Sequence, residues 1–165
     1  MVRNLASALA LAFGLTAASF SIAQASDALF TVTGRIALKD QAKEIGIGEA
    51  EIAAIGKTEI DTTILSLGGG SHHVTGILGR SLLQYVDAKG TRLHVVALDG
   101  YSIEIPIEDL QKYDVVVATE IDGKTLSVRD KGPAWIIYPV SANKELADLV
   151  YEARSVWQIL SIDVE

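Results

Sequence analysis

Short apolar or alternating runs, separated by turn residues, restrict the fold of this chain more than any other feature. Apolar and polar residues alternate over 29–34 and 101–107, which is typical of half-buried strands. Further strand patterns lie at 60–67, 93–98, 115–119, 135–138 and 157–164. Asp122-Gly123 is a tight-turn signal between two of these runs.

Helical patterns are few and short. They lie at 48–55, 79–86 and 143–151, with Asn143 as the N-cap of the last. These helices do not alternate regularly with the strands, so repeated parallel βαβ units are not expected. The sequence therefore predicts an α+β fold, in the form of a single mixed, mainly antiparallel domain.

The first 25 residues have the pattern of a cleaved signal peptide. Arg3 precedes an uncharged apolar stretch over 5–22, and Ala23-Gln24-Ala25 fits an A-x-A cleavage site. A membrane anchor is the alternative, but the stretch is rich in small residues and ends at the cleavage pattern. We expect residues 1–25 to be removed and residues 26–165 to form an exported domain, periplasmic or secreted, without membrane insertion after cleavage.

Charge and cysteine content exclude several classes of function. The formal net charge is −7, which disfavours nucleic acid and anionic lipid surfaces as partners. The chain has no cysteine. It therefore has no disulfide, no cysteine nucleophile and no thiolate for a metal or an iron–sulfur cluster.

Several motifs in the second half occur in a recognisable order. They are Asp99-Gly100-Tyr101, Asp122-Gly123-Lys124, Lys131-Gly132-Pro133, and Arg154-Ser155-Val156-Trp157-Gln158. This order resembles the oxidoreductase molybdopterin-binding domain, the central domain of the sulfite oxidase family. The resemblance covers about 29–164 and implies an α+β domain of the sulfite-oxidase molybdopterin-binding type, with molybdopterin as a possible cofactor.

The resemblance also shows what this chain lacks. Family enzymes bind molybdenum through a cysteine in the loop after the strand that corresponds to 60–67, and here that region contains only Thr and Ser hydroxyls. A hydroxyl is a poor substitute, because it keeps its proton near neutral pH and its oxygen is hard. Ala134-Trp135 and Trp157-Gln158 also stand where family enzymes often have an Arg and a Lys. A normal molybdenum centre is therefore not expected.

Family enzymes bind the phosphate of the pterin through basic side chains, and Arg is the best bidentate donor. The candidates by position are His72, His73, Arg80, Arg129, Lys131 and Arg154. The resemblance also places Asp99 and Tyr101 close to the cofactor pocket. The predicted cofactor-binding set is His72, His73, Arg80, Asp99, Tyr101, Arg129 and Lys131, with no catalytic residue and no metal ligand assigned.

Each of these signals has a plain structural interpretation as well. His72-His73 follows three glycines and would fit a solvated loop, since adjacent residues in an extended segment point to opposite sides and rarely share one ion. Asp99-Gly100-Tyr101 would fit a turn in which Asp bonds its own backbone and Gly takes positive φ. Trp135 and Trp157 lie in apolar runs, so both are predicted to be mostly buried on neighbouring strands.

Two functions from different classes follow. The first is an exported, non-catalytic module that binds a small anionic ligand or an envelope protein in the old cofactor cleft. The alternative is an oxidoreductase subunit that binds molybdopterin without a protein cysteine. In either case, the loops 68–75 and 98–101, with Arg80 and Arg129, are expected to surround one shared cleft.

Overall fold

The computed structural model describes residues 28–37 and 43–165. The predicted signal peptide, residues 1–25, lies outside the described residues. Within the described part, no helix is long and apolar enough to cross a bilayer. The elements form two five-stranded sheets with short helices packed against them.

The first sheet joins the two ends of the domain. Its strands are β1 (Phe30–Gly34), β2 (Glu44–Ile47), β5 (Arg92–Ala97), β6 (Ser102–Pro106) and β10 (Ile159–Val164). The spatial order is β2-β1-β10-β5-β6, in which β1 and β10 are parallel and the other pairs are antiparallel. The last strand of the chain is therefore central in this sheet.

The second sheet is antiparallel throughout. Its strands are β3 (Thr58–Thr63), β4 (Ser71–Leu78), β7 (Val116–Ile121), β8 (Lys124–Thr125) and β9 (Trp135–Ile137). The order is β3-β4-β7-β8, and β9 also pairs with β7. Asp122 and Gly123, both at positive φ, form the predicted turn between β7 and β8.

Four short helices complete the described part of the domain. They are α1 (Glu49–Ile55), α2 (Gly79–Tyr85), α3 (Ile107–Lys112) and α4 (Leu149–Arg154). Three 3₁₀ turns lie at Leu65–Leu67, Val128–Asp130 and Lys144–Leu146. The last two helical segments correct one prediction: Asn143 precedes a 3₁₀ turn, and α4 begins later, where the Asp148 carboxylate accepts from the Val150 N–H at 2.9 Å.

The second sheet is buried on both faces along β7 and β9. On β7, Val117 belongs to the larger core cluster, whereas Val116 and Ala118 belong to a second cluster. On β9, Ile136 faces the larger cluster, and Trp135 belongs to the second. Because successive strand residues point to opposite faces, this alternation explains why β7 and β9 read as continuous apolar runs.

The α+β class and the mainly antiparallel single domain predicted from the sequence are confirmed. The buried position of Trp135, which is 1% exposed, is also confirmed. The prediction for Trp157 is wrong. This residue is 38% exposed and lies between α4 and β10 rather than in a strand. Its ring meets that of Trp135 edge-to-face, with centroids 6.0 Å apart, so it packs at the margin of the core.

Candidate functional site

The adjacent histidines lie in β4 rather than in a glycine-rich loop. His72 Nδ1 is 2.7 Å from an Asp122 carboxylate oxygen, and His73 Nδ1 is 2.9 Å from one of Asp61. His73 Nε2 is also 3.6 Å from Glu59. The two rings have different partners, as strand alternation requires. The described residues contain no group of three His, Asp or Glu side chains that converges on a metal position.

These pairs shift the proton equilibria of their members. The hydrogen bond with Asp61 raises the pKa of the His73 imidazole above its ordinary value of 6.5. The hydrogen bond with His72 and the N–H of His73 lower the pKa of the Asp122 carboxyl. The Nε2 atom of His72 is buried and has no hydrogen-bond partner in the described part of the chain.

Arg80 is engaged with the protein itself. It is the second residue of α2, and its guanidinium forms an exposed ion pair with Asp114. Arg80, His72 and His73 do not line any of the three clefts described below.

Asp99 and Tyr101 lie at a cavity of about 360 Å³. Gly100 has φ 88°, and the Tyr101 N–H donates to the Asp99 carboxylate at 2.9 Å, so the predicted turn is confirmed. We call this hollow the carboxylate cavity. Its described lining residues are Ser66, Ala97, Asp99, Tyr101, Glu152, Ala153, Ser155, Val156 and Trp157.

Arg129 and Lys131 lie at a different cavity, of about 380 Å³. Lys124, the first residue of β8, joins them there, and we call this hollow the cationic cavity. Its described lining residues are Leu67, Ile121, Lys124, Thr125, Leu126, Arg129, Asp130, Lys131 and Trp135. Asp130 is its one carboxylate among them, and that side chain accepts from the Ser127 hydroxyl at 2.7 Å.

The two cavities meet at a contact between Lys131 and Trp157. The Lys131 ammonium lies 3.7 Å from the centroid of the Trp157 ring and 4.9 Å from that of Trp135. Burial against these rings lowers the pKa of the Lys131 ammonium from its usual value. Lys131 has φ 66°, so a left-handed backbone residue presents this ammonium to both indoles.

A buried polar contact fixes α4 at the edge of the carboxylate cavity. Asp109, on α3, accepts hydrogen bonds of 2.9 Å from the Tyr138 hydroxyl and from Arg154 Nη1. Asp109 is 8% exposed and Tyr138 is 2% exposed. Burial raises the pKa of the Tyr138 phenol, with the nearby Asp109 charge acting in the same direction. The hydroxyl therefore stays protonated and donates.

The single shared cleft expected from the sequence is not formed by the described residues. The structure brings Asp99 and Tyr101 together at one cavity and Arg129 and Lys131 at another, whereas His72, His73 and Arg80 pair with carboxylates elsewhere. Two charged lining residues were not among the predicted site residues: Glu152 on α4 and Lys124 on β8. Arg154, which was a phosphate candidate, is occupied by Asp109.

The residues present do not fit a molybdenum centre of the family type. The loop expected to supply a thiolate contains the 3₁₀ turn Leu65–Leu67, and its Ser66 lines both the carboxylate cavity and a narrow cleft of about 40 Å³ beside it. Ser66 offers only a protonated, hard oxygen. The carboxylate cavity also has no Lys or Arg among its described lining residues, so it disfavours a phosphate.

Comparisons with known proteins find a similar structure but no match in sequence. No protein-family model matches the chain, and no curated protein matches it in sequence. Among solved structures, the fold is similar to that of the sulfane dehydrogenase SoxCD from Paracoccus pantotrophus, with a TM-score of 0.61 and 14% identity. The match covers 84% of this chain but only 38% of the SoxCD chain.

This likeness supports the predicted fold type, and at 14% identity it carries no information about activity. The chain spans well under half the length of the solved chain it matches. The assignment of cofactor-binding residues from the sequence stays a prediction.

The contact between Arg154 and Asp109 should contribute measurably to stability. We expect Arg154→Met to lower the free energy of unfolding by about 2–3 kcal/mol, because it leaves a buried carboxylate without its charged donor. Chemical denaturation monitored by circular dichroism measures the change. Arg80→Met is the matched control, since it removes an exposed ion pair worth roughly 1 kcal/mol or less. Equal losses in the two variants would contradict this assignment.

The raised pKa of His73 makes a second prediction. A histidine whose pKa is higher in the folded than in the unfolded state stabilises the fold at pH values below its unfolded pKa, and this contribution is lost as the pH rises through the folded pKa. An NMR titration of the His73 ring should give a pKa above 6.5, and Asp61→Asn should lower it. The variant Asp114→Asn is the control. A His73 pKa insensitive to Asp61→Asn would show that this hydrogen bond is not formed in solution.

Proposed function

We propose that this domain is an exported, non-catalytic module that binds a small anionic ligand in the cationic cavity. The observation that carries the proposal is the arrangement of Lys124, Arg129 and Lys131 around one hollow. Within the described chain, none of the three has a carboxylate oxygen within 4.0 Å. The chain as a whole has a net charge of −7, so these cations form a local exception.

The chemistry of the three side chains suits an anion with several oxygens. Arg129 supplies a planar fork for bidentate hydrogen bonds, and Lys124 supplies a second positive charge from β8. Lys131 is partly desolvated by Trp135 and Trp157, which lowers its pKa. A bound anion would stabilise the charged form of Lys131, so ligand binding and protonation of this lysine favour each other.

The absence of a thiolate supports a binding role over a redox role. The chain has no cysteine, and Ser66 is a poor donor for a soft metal. The proposal that the domain is exported rests on the sequence pattern of residues 1–25. The proposed ligand of the cationic cavity is a small anion. A carboxylate or phosphate group on an envelope protein is the alternative occupant.

A second function, an oxidoreductase subunit that binds molybdopterin without a protein cysteine, has one observation in its favour. The fold is similar to that of a sulfane dehydrogenase over 84% of this chain. If a pterin were bound, Arg129 and Lys131 of the cationic cavity would suit its phosphate. The metal would then have no thiolate ligand from the protein.

Anion binding can be tested directly with inorganic phosphate. We expect saturable binding to the chain at low, constant ionic strength, measured by isothermal titration calorimetry. Arg129→Met should weaken the affinity about tenfold, which corresponds to about 1.4 kcal/mol and is typical of one charge-assisted hydrogen bond. Lys144→Met is the matched control, because Lys144 is exposed, lines none of the cavities described above and makes no ion pair in the described part of the chain.

Two outcomes would contradict the proposal. One is the lack of any saturable phosphate binding. The other is an equal loss of affinity in Arg129→Met and Lys144→Met, which would indicate a diffuse electrostatic effect rather than a site.

A further inference from the structure

We infer that the carboxylate cavity binds a small organic cation, an amine or a quaternary ammonium group. This inference goes beyond the proposed function, because it concerns the second cavity and a ligand of opposite charge. It rests on three features of that cavity: uncompensated carboxylates, exposed aromatic rings and a wall that is fixed at two points.

The carboxylates come from two different elements. Asp99 belongs to the turn between β5 and β6, and Glu152 belongs to α4. In the described chain, neither has a Lys, Arg or His nitrogen within 4.0 Å. One Asp99 oxygen accepts the Tyr101 N–H, and the described residues offer no donor to the other oxygen or to the Glu152 carboxylate. Two negative charges therefore face the cavity without a counterion from its described lining.

The aromatic rings are exposed where large apolar side chains are ordinarily covered. Tyr101 is 45% exposed and Trp157 is 38% exposed, and both line this cavity. An aromatic face attracts a cation through the quadrupole of its π-system, and Trp is the strongest of the side chains in this respect. The Lys131 ammonium, 3.7 Å from the Trp157 centroid, already uses one part of this ring in that way. The same residue also lines the cavity.

The cavity wall is held in place before any ligand arrives. The Tyr101 hydroxyl donates to the Ala153 carbonyl at 3.1 Å, and the Tyr101 N–H donates to Asp99. Tyr101 therefore ties the β5–β6 turn to α4, and α4 is tied to the core through Arg154 and Asp109. A preorganised wall lowers the entropy lost on binding.

An organic cation fits this lining better than a metal ion. The described residues contain no convergent group of three carboxylate or imidazole ligands, which a divalent ion would need. About 360 Å³ is ample for a group the size of trimethylammonium, whose methyl groups can contact Tyr101 and Trp157 while its charge faces Asp99 and Glu152.

Choline and its uncharged isostere 3,3-dimethyl-1-butanol form the direct test. Titrations of the ¹⁵N-labelled chain should show saturable shifts of the Trp157 indole N–H with choline and much weaker shifts with the alcohol. The backbone N–H of Gly79, which donates to the Val115 carbonyl at 2.8 Å and lines neither cavity, provides an internal reference in the same spectra. Equal binding of the two compounds, or no saturable shift with choline, would overturn the inference.

Charge-neutralising variants test the assignment of residues. Glu152→Gln and Asp99→Asn should each weaken choline binding roughly fivefold, since each removes one charge facing the ammonium. Asn also forms the side-chain turn that Asp99 forms, so the loop is retained. Glu108→Gln, on the exposed side of α3, is the matched control and should leave the affinity unchanged. Unchanged affinity in both Glu152→Gln and Asp99→Asn would place the cation elsewhere.

The two proposals can fail separately. Arg129→Met should weaken phosphate binding and leave choline binding within twofold, whereas Glu152→Gln should do the reverse. Loss of choline binding in Arg129→Met to the same extent as in Glu152→Gln would contradict two distinct sites, even if phosphate still bound.

Discussion

The buried contact among Asp109, Tyr138 and Arg154 is the interaction on which the position of α4, and with it the geometry of the carboxylate cavity, depends. It joins α3, the end of β9 and α4 through two hydrogen bonds of 2.9 Å to one carboxylate oxygen. The short α4 helix has no fully buried residue, and its apolar contact with the core comes from the half-buried Tyr151, beside Tyr113 and Tyr138. A helix of this length needs such a tertiary contact, and the contact decides where Glu152 lies.

The position of α4 affects both cavities, because Trp157 follows this helix in the chain. The chain that leaves α4 carries Trp157 to the margin of the core, where its ring packs against Trp135 and receives the Lys131 ammonium. One side of this junction collects Lys124 and Arg129, and the other collects Asp99 and Glu152. A fold that resembles redox enzymes thus has, in this chain, two adjacent hollows of opposite charge and no thiolate between them.

The sequence predicted most elements because their periodicity is local. It failed where long-range pairing decides the structure. The sequence predicts a loop at 68–75, because Gly68-Gly69-Gly70 and two histidines hide the pattern of a strand that β3 and β7 stabilise from both sides. Helix α3 was missed because Pro106 ends one strand and also serves as the N-cap of the helix. Arg129 and Lys131 are close in sequence, so their pairing at one cavity was predictable, whereas Glu152 and Lys124 reach their cavities only through tertiary contacts.

The central claim is that this chain uses the scaffold for binding and not for molybdenum chemistry. The most direct measurement is the molybdenum and pterin content of the protein, purified under mild conditions from cells grown with ample molybdate, by elemental analysis and native mass spectrometry. The account predicts far less than one molybdenum per chain and no stoichiometric pterin, because no thiolate is present to bind the metal. One molybdenum and one pterin per chain would contradict it.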